Sequence, residues 1–166
     1  MWAALPADSL TDIRETALRY SVIGIDEGQF VRRVRSFVRS HDLQFSDIAT
    51  FSDEMASLGK TVIIAALDGT FERKAFGNVL DLVPIAESIT KLTAVCMACY
   101  RPASFSKRLG NEKEVKVIGG ADKYAAVCRE CHRNTPGNVS PKKPNAAAIL
   151  NSTAGEFVDN VFVDMQ

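Results

Sequence analysis

Four cysteines fall into two C-x-x-C pairs. The pairs are CMAC at residues 96–99 and CREC at residues 128–131, and the sequence contains no other cysteine. Each pair can present two thiolates from one tight turn, and four soft protein ligands leave no open position on a tetrahedral ion. The spacing predicts a structural zinc site with Cys96, Cys99, Cys128 and Cys131 as ligands. The alternative is four ordinary buried cysteines, in which case the repeated spacing is a coincidence.

A long segment separates the two pairs. Twenty-eight residues lie between Cys99 and Cys128, so a metal bound by both pairs joins the two ends of this segment. Joining the ends lowers the conformational entropy of the chain between them, which favours an ordered loop. His132 follows Cys131, but because four cysteines already fill the site we interpret it as an exposed neighbour.

Two acidic residues end an apolar stretch near the start of the chain. In SVIGIDEGQF, residues 21–30, the apolar run is followed by Asp26 and Glu27. Open α/β sheets bind ligands at the carboxyl ends of their strands, where one acid can hold Mg²⁺ and its neighbour can accept a proton from an attacking hydroxyl. The pattern indicates a phosphoryl-transfer site. Its alternative is a pair of solvated acids at the end of a strand.

The printed sequence contains no phosphate-binding loop of the form G-x-x-x-x-G-K-[S/T]. In such a loop the glycines let backbone N–H groups converge on phosphate oxygens. Gly59-Lys60-Thr61 matches the end of the pattern, but Glu54 stands where the first glycine is required and the predicted order is helix then strand. We therefore interpret Gly59 as a helix cap.

Helix and strand patterns alternate around the acids. Apolar residues recur at helical spacing in 8–19 and in 46–58, and each segment leads into an apolar strand, at 21–25 and 61–67. The strand at 61–67 is continuously apolar, which is typical of a parallel strand covered on both faces. The repeated unit predicts the α/β class, a parallel sheet with flanking helices.

The pattern changes after residue 68. A glycine-containing loop precedes a predicted helix at 84–90 and a predicted strand at 92–96, and beyond residue 132 the composition turns to Pro, Asn, Ser, Ala and Lys. We predict an α/β core at 1–91, a zinc-binding subdomain at 92–132 and a disordered tail at 133–166. The tail contains Ser140-Pro141, a candidate site of proline-directed phosphorylation.

The composition argues against several classes of partner. Lys plus Arg and Asp plus Glu number 20 each, so no overall field attracts nucleic acid or an acidic membrane. The longest strongly apolar run, VIIAAL at 62–67, is too short to span a bilayer, and the amino terminus lacks a signal-peptide pattern. These features predict a soluble, cytoplasmic chain.

Four stretches together resemble the type II thymidine kinases, the zinc-containing deoxynucleoside kinases of cells and some viruses. They are VIGIDEGQF, GKTVIIAALDGTFERKAFG, LVPIAESITKLTAVCMACY and KRLGNEKEVKVIGGADKYAAVCRECH, in order within residues 20–30 and 45–132. The resemblance implies an incomplete P-loop kinase-like core with a zinc-clamped lasso subdomain. It also implies transfer of the γ-phosphate of ATP, bound with Mg²⁺, to the 5′-hydroxyl of thymidine in nucleotide salvage, by a homotetramer.

The resemblance also implies roles for individual residues. Glu27 matches the general base and Asp26 the acid that holds Mg²⁺. The implied ATP and magnesium site comprises Asp26, Glu27, Gly28 and Gln29. The implied nucleoside contacts are the side chains of Phe30, Leu67, Phe71 and Phe76 and the lasso residues Val115, Lys116, Val117, Ile118, Gly119 and Tyr124. Without the resemblance, Phe71, Phe76 and Tyr124 are interpreted as core aromatics.

Two features depart from the family pattern. The family begins with a strand and a phosphate-binding loop that match no part of this sequence, and we therefore expect turnover by this chain to be impaired. Residues 31–44, VRRVRSFVRSHDLQ, form an insertion with four arginines. Three alternatives for the insertion are a basic clamp beside the phosphates, a partner surface, and a stretch foreign to the ancestral fold.

Three functions follow as hypotheses. The first is a thymidine kinase. The second is a non-catalytic, zinc-bound subunit that binds nucleosides or joins an oligomer. The third is a zinc-ribbon nucleic-acid binder, which the balanced charge disfavours because only the arginines of the insertion form a local basic patch.

Overall fold

The described part of the chain forms two compact units. A computed structural model describes residues 4–31, 47–112, 114, 117, 119–134 and 160–165, with the side chains of the last segment limited to Val163 and Met165. The first unit contains the described residues within 1–68, 75–90 and 161–166, and the second contains those within 69–74 and 91–160. Apart from Val31, the predicted insertion at 31–44 lies outside the described residues.

The elements alternate between helix and strand in the first half and become short strands in the second. In chain order they are a 3₁₀ helix Thr11–Ile13, α1 (Arg14–Ala17), β1 (Val22–Ile25), a 3₁₀ helix Gly28–Phe30, α2 (Asp47–Ser57), β2 (Thr61–Leu67), a 3₁₀ helix Val79–Ile85, β3 (Ser88–Lys91), β4 (Ala94–Val95), β5 (Pro102–Ala103), β6 (Phe105–Arg108), β7 (Tyr124–Val127), α3 (Arg129–Asn134) and β8 (Asn160–Met165).

A four-stranded sheet with the order β1-β2-β8-β3 forms the centre of the first unit. The strands β1 and β2 pair in parallel, with Ile25 opposite Ile64. The helix α2 buries Ile48, Phe51 and Met55 in the same apolar cluster as the buried residues of β2. The mixed α/β class is confirmed, with a small parallel pairing and flanking helices.

The helix α2 ends where the sequence predicts. Gly59 has a φ of 75°, in the left-handed region that favours glycine. Its N–H donates to the carbonyl of Ala56, and the N–H of Lys60 donates to the carbonyl of Met55 at 3.1 Å. These two bonds form a Schellman motif, which satisfies carbonyls that the helix end leaves open. The interpretation of Gly59 as a helix cap is confirmed.

The strand β2 is buried on one face more than on the other. Val62, Ile64 and Ala66 are at most 1% exposed, whereas Ile63 is 41% exposed. The prediction of a strand covered on both faces is therefore wrong for the described part of the chain. The continuous apolar run concealed an alternating burial pattern, because a run of apolar residues does not distinguish the two faces.

Two predictions for later segments are also corrected. The predicted helix at 84–90 is wrong, because a 3₁₀ helix ends at Ile85 and the strand β3 follows, while Ala86 is already extended. Pro84 cannot donate a helical hydrogen bond, and Ile89 and Thr90 are β-branched, which favours a strand. The predicted tail at 133–166 contains β8, whose Val163 and Met165 are 1% exposed in the first core.

The second unit has a core of small side chains. The hairpin β4–β5 and the hairpin β6–β7 are antiparallel, with Phe105 opposite Val127 in the second. Its buried cluster consists of Cys96, Ala98, Ala103, Ala125, Ala126, Val127 and Cys128. Small side chains bury little apolar area, so such a unit needs a further source of stability such as a metal. Among the helices described, none is long and apolar enough to cross a bilayer.

Candidate functional site

The four cysteine sulfurs of the second unit converge. All four Sγ atoms lie within 4.8 Å of one another, and the Sγ atoms of Cys99 and Cys128 are 3.6 Å apart. Four sulfurs bound at about 2.3 Å to one tetrahedral ion lie about 3.8 Å from each other. The cluster therefore fits a tetrahedral cation, and its cysteines are not joined by disulfides.

Two tight turns position these sulfurs. In the first turn the N–H of Tyr100 donates to the carbonyl of Cys96, and the N–H of Cys96 donates to the carbonyl of Arg101, both at 2.8 Å. Tyr100 reaches this geometry with a left-handed φ of 62°. In the second turn α3 begins after Cys128, whose carbonyl accepts from the N–H of His132 at 2.8 Å. Each pair of sulfurs is thus held by backbone hydrogen bonds.

Arg101 adds a positive charge beside the cluster. Its Nε donates to the Sγ of Cys99 at 3.3 Å, and its Nη2 donates to Glu130 at 2.6 Å. Burial raises the pKa of the Cys99 thiol, but hydrogen bonds led by Arg101 outweigh burial and lower that pKa to about 6. Burial and hydrogen bonds to the other cysteines raise the pKa of Cys131 to about 12. A cation bound by the four sulfurs would favour the thiolate form of each.

Asp26 and Glu27 stand at the carboxyl end of β1, as the sequence predicts. Both side chains are exposed, and the Oδ1 of Asp26 accepts the backbone N–H of Glu27 at 2.9 Å. Glu27 has a φ of 54° and a ψ of 38°, a left-handed conformation that is uncommon for residues other than glycine. Such strain often marks functional positions, and here it turns the chain directly after the strand.

Gln29 ties Glu27 to the neighbouring strand. The side chain of Gln29 is 3% exposed. Its Nε2 donates to the Oε2 of Glu27, and its Oε1 accepts the backbone N–H of Leu67 at 3.0 Å. The amide therefore satisfies both of its ends while it fixes the carboxylate relative to the end of β2. Gly28 lies in close contact beside it, because a Cβ there would lie 2.8 Å from the Cδ1 of Ile48.

Gly77 supports Gln29 from the loop before the third 3₁₀ helix. Its φ is 59°, and a Cβ built on it would lie 2.7 Å from the backbone oxygen of Gln29. We expect Gly77→Ala to lower the free energy of unfolding by about 2–4 kcal/mol, from left-handed strain and a backbone clash. Urea unfolding followed by circular dichroism measures this loss.

Gly59→Ala is the matched control for that substitution. Gly59 also has a left-handed φ, of 75°, but a Cβ there meets nothing within 4 Å. It should therefore cost only the conformational strain, about 1–2 kcal/mol. Equal losses in the two variants would contradict the close contact between Gly77 and Gln29.

Two phenylalanines of the first unit pack edge to face. The ring centroids of Phe30 and Phe76 are 5.5 Å apart at an interplanar angle of 85°. Phe76 is 9% exposed, whereas Phe30 is 46% exposed. One ring is thus anchored in the unit and the other presents an apolar surface next to Gln29. Leu67 is half-buried at the end of β2.

The second unit gathers Phe71, Tyr124 and Val117 around one arginine. The Cζ of Arg108 lies 3.9 Å from the centroid of the Phe71 ring and 5.2 Å from that of Tyr124. The hydroxyl of Tyr124 donates to the carbonyl of Val117 at 2.9 Å. Gly119 is exposed. The predicted contacts Val115, Lys116 and Ile118 lie outside the described residues.

Sequence reasoning missed Arg108 and the role of His132. Arg108 is 7% exposed, and an arginine at the end of a strand gives no sequence signal of burial. His132 is half-buried, not exposed, and its Nε2 lies 3.3 Å from the carbonyl oxygen of Phe71. This contact joins the metal-binding turn to the loop that carries Phe71. The sequence signal for His132 was its position next to Cys131, but that position did not identify Phe71 as its partner.

Comparison with known proteins finds one family along most of the chain. The family profile described as thymidine kinase matches residues 2–132. The cytosolic thymidine kinase of Cricetulus griseus is 56% identical over 142 residues, which are 86% of this chain and 54% of the relative. The human cytosolic thymidine kinase is 59% identical over 129 residues, 78% of this chain and 49% of the relative. A thymidine kinase of Myxoma virus (strain Uriarra) is 52% identical over 130 residues, 78% and 65% of the two chains. The chain thus spans about half the length of the cytosolic relatives.

Proposed function

The chain belongs to the thymidine kinase family, and from this premise we propose that its site serves transfer of the γ-phosphate of ATP to the 5′-hydroxyl of thymidine. The observation that carries the proposal is the Glu27–Gln29–Leu67 connection. It holds a carboxylate at the carboxyl end of a parallel strand, where α/β sheets bind ligands. A carboxylate in that position can accept the proton of an attacking hydroxyl. We assign Glu27 as the general base.

Asp26 is the proposed ligand of the magnesium ion that accompanies ATP. Its exposed carboxylate adjoins Glu27 in sequence and already accepts one backbone N–H. Mg²⁺ bound with ATP would neutralise charge on the phosphate oxygens. Gly28 and Gln29 complete the proposed ATP and magnesium site. The buried position of Gly28 lets the chain turn closely over α2 and β2.

Thymidine is the proposed acceptor. In the first unit Phe30, Phe76 and Leu67 offer apolar contacts. In the second, the proposed contacts are Phe71, Tyr124 and the lasso residues Val115, Lys116, Val117, Ile118 and Gly119. Backbone groups that read the edge of a base discriminate strongly, because a mismatched edge leaves buried polar groups unpaired at about 1–3 kcal/mol each.

Zinc is the proposed ion of the cysteine cluster. Four thiolates in tetrahedral spacing suit Zn²⁺, and with no open ligand position its role is structural. Because two of the similar relatives are cytosolic thymidine kinases, we propose a cytoplasmic location. By family resemblance we also propose a homotetramer.

Turnover by the 166-residue polypeptide is proposed to be impaired. The printed sequence has no G-x-x-x-x-G-K-[S/T] motif, and positioning of the ATP phosphates is nearly all of phosphoryl-transfer catalysis. The same observation supports a second candidate function, a non-catalytic subunit that binds nucleosides or joins an oligomer. Co-purification with a full-length relative would favour that candidate.

Equilibrium binding and turnover test the proposal together. We expect the purified polypeptide to bind thymidine at least about tenfold more tightly than deoxycytidine, whose base edge differs. We expect no transfer from radiolabelled ATP above background. Equal affinity for the two nucleosides would contradict the assignment of thymidine as the substrate. Turnover at a rate typical of a kinase would contradict the proposed impairment.

A further inference from the structure

We propose that Arg108 is a positioning residue. It holds the backbone at Glu112, Glu114 and Val117, together with the Phe71 ring, in the arrangement that receives the nucleoside. The inference rests on the proposed function for its consequence in binding, but its structural part stands on the second unit alone. Arg108 is the last residue of β6, directly before the segment 109–123 that leads to β7. It is 7% exposed.

The guanidinium of Arg108 reaches the backbone on one side and a phenol on the other. Its Nη1 donates to the carbonyl of Glu112 at 3.0 Å and to the carbonyl of Glu114. Its Nη2 donates to the hydroxyl of Tyr124 at 2.6 Å. That hydroxyl in turn donates to the carbonyl of Val117 at 2.9 Å. One side chain therefore fixes the backbone between β6 and β7 at Glu112 and Glu114 directly, and at Val117 through Tyr124.

The same guanidinium also lies over the rings of Phe71 and Tyr124, two of the proposed nucleoside contacts. Its Cζ lies 3.9 Å from the centroid of Phe71, within the range of a cation–π interaction, and 5.2 Å from that of Tyr124. A planar guanidinium can stack on a ring while its edge donates hydrogen bonds in two directions. The ammonium of lysine cannot do both. Arg108 thus couples the Phe71 ring to the backbone that is proposed to read the base.

Amide hydrogen exchange of residues 109–123, measured in variants of the full 166-residue chain, tests this role. Arg108→Met should raise amide hydrogen exchange in the 109–123 segment at least about tenfold, because three direct hydrogen bonds are lost. Thymidine affinity should fall at least about tenfold, while zinc content stays at the wild-type level. Arg108→Lys should restore neither exchange protection nor affinity, because lysine keeps the positive charge but lacks the planar set of donors of the guanidinium.

Arg129→Met is the matched control. Arg129 also lies over an aromatic ring of the second unit, with its Cζ 4.7 Å from the centroid of Phe105. It should leave exchange in 109–123 and thymidine affinity within about twofold of wild type, because changes away from a network usually cost little. A loss in this control equal to that in Arg108→Met would overturn the assignment to Arg108.

Tyr124→Phe keeps the test decisive if Arg108→Met fails to fold. It keeps the ring and removes only the hydroxyl that joins Arg108 to Val117, so exchange in the segment should rise with zinc retained. Unchanged exchange in Tyr124→Phe, or unchanged exchange in a folded Arg108→Met, overturns the proposal. Failure of the wild-type chain to bind thymidine would instead sink the proposed function, and the exchange data would still decide the role of Arg108.

Discussion

Glu27→Gln should lower kcat by about 10²- to 10⁴-fold in a chimera that carries residues 20–132 of this chain within the human cytosolic thymidine kinase. The two sequences are 59% identical over 129 residues, which supports the exchange of this segment. Glutamine keeps the shape of the side chain and its contact with Gln29, but it cannot accept the proton of the 5′-hydroxyl. Because the base acts in the transition state, the KM for thymidine should change little.

The split between kcat and KM separates a lost base from a disturbed pocket. A disturbed pocket should raise the KM for thymidine as kcat falls, whereas a lost base should lower kcat alone. Glu87→Gln serves as the control, because Glu87 is exposed and directly precedes β3, which lies at the opposite edge of the sheet from β1. If Glu27→Gln keeps kcat within about threefold of the unsubstituted chimera, another group must take the proton.

Elements with strong local signals were predictable from the sequence. The helix α2 has helical apolar spacing and a glycine at its end, and the strand β2 follows as a run of apolar residues. The parallel pairing of β1 with β2 follows from the strand–helix–strand order. In each case the local preference and the tertiary environment agree, which is the condition under which pattern reasoning works.

Elements defined by distant pairing were not predictable. The segment Ser88–Lys91 has exposed side chains throughout, so it shows no alternation between a core face and a solvent face. Its strand state comes from the sheet that also contains β8, more than sixty residues later in the chain. The buried Val163 and Met165 lie after a segment of low apolar content, and composition alone assigned the whole region to a tail.

Some residues of the candidate site were predictable from the sequence, and the contacts that orient them were not. The cysteine cluster was predictable because two C-x-x-C pairs are a pattern typical of a metal site. The pair Asp26 and Glu27 was visible at a strand end. The contacts that orient these groups were not visible, since Gln29 acts through the backbone N–H of Leu67 and Arg108 acts through backbone carbonyls. Backbone partners leave no trace in the identity of a residue.

Removal of the metal should unfold the second unit and leave the first one folded. The buried cluster of the second unit contains alanine, cysteine and a single valine, whereas the first core contains large side chains such as Phe51, Met55 and Leu82. A structural zinc ion contributes about 10–16 kcal/mol to small domains of this kind. After chelation, amides of β6 and β7 should lose protection from hydrogen exchange, and amides of α2 and β2 should keep it.

Cys128→Ser should unfold the second unit, and leave the first one folded, without a chelator. Cys128 is 8% exposed and lies beside Cys99, and a serine hydroxyl is a poor substitute for a thiolate on zinc. Bound zinc should fall from about one ion per chain to a small fraction of that. Added Zn²⁺ should restore protection in the chelated wild-type chain and not in Cys128→Ser, and Mg²⁺ should restore neither. Protection of β6 and β7 in metal-free wild-type protein would show that the small apolar core keeps the second unit folded by itself. A structural role for a metal in the cysteine cluster would then be excluded.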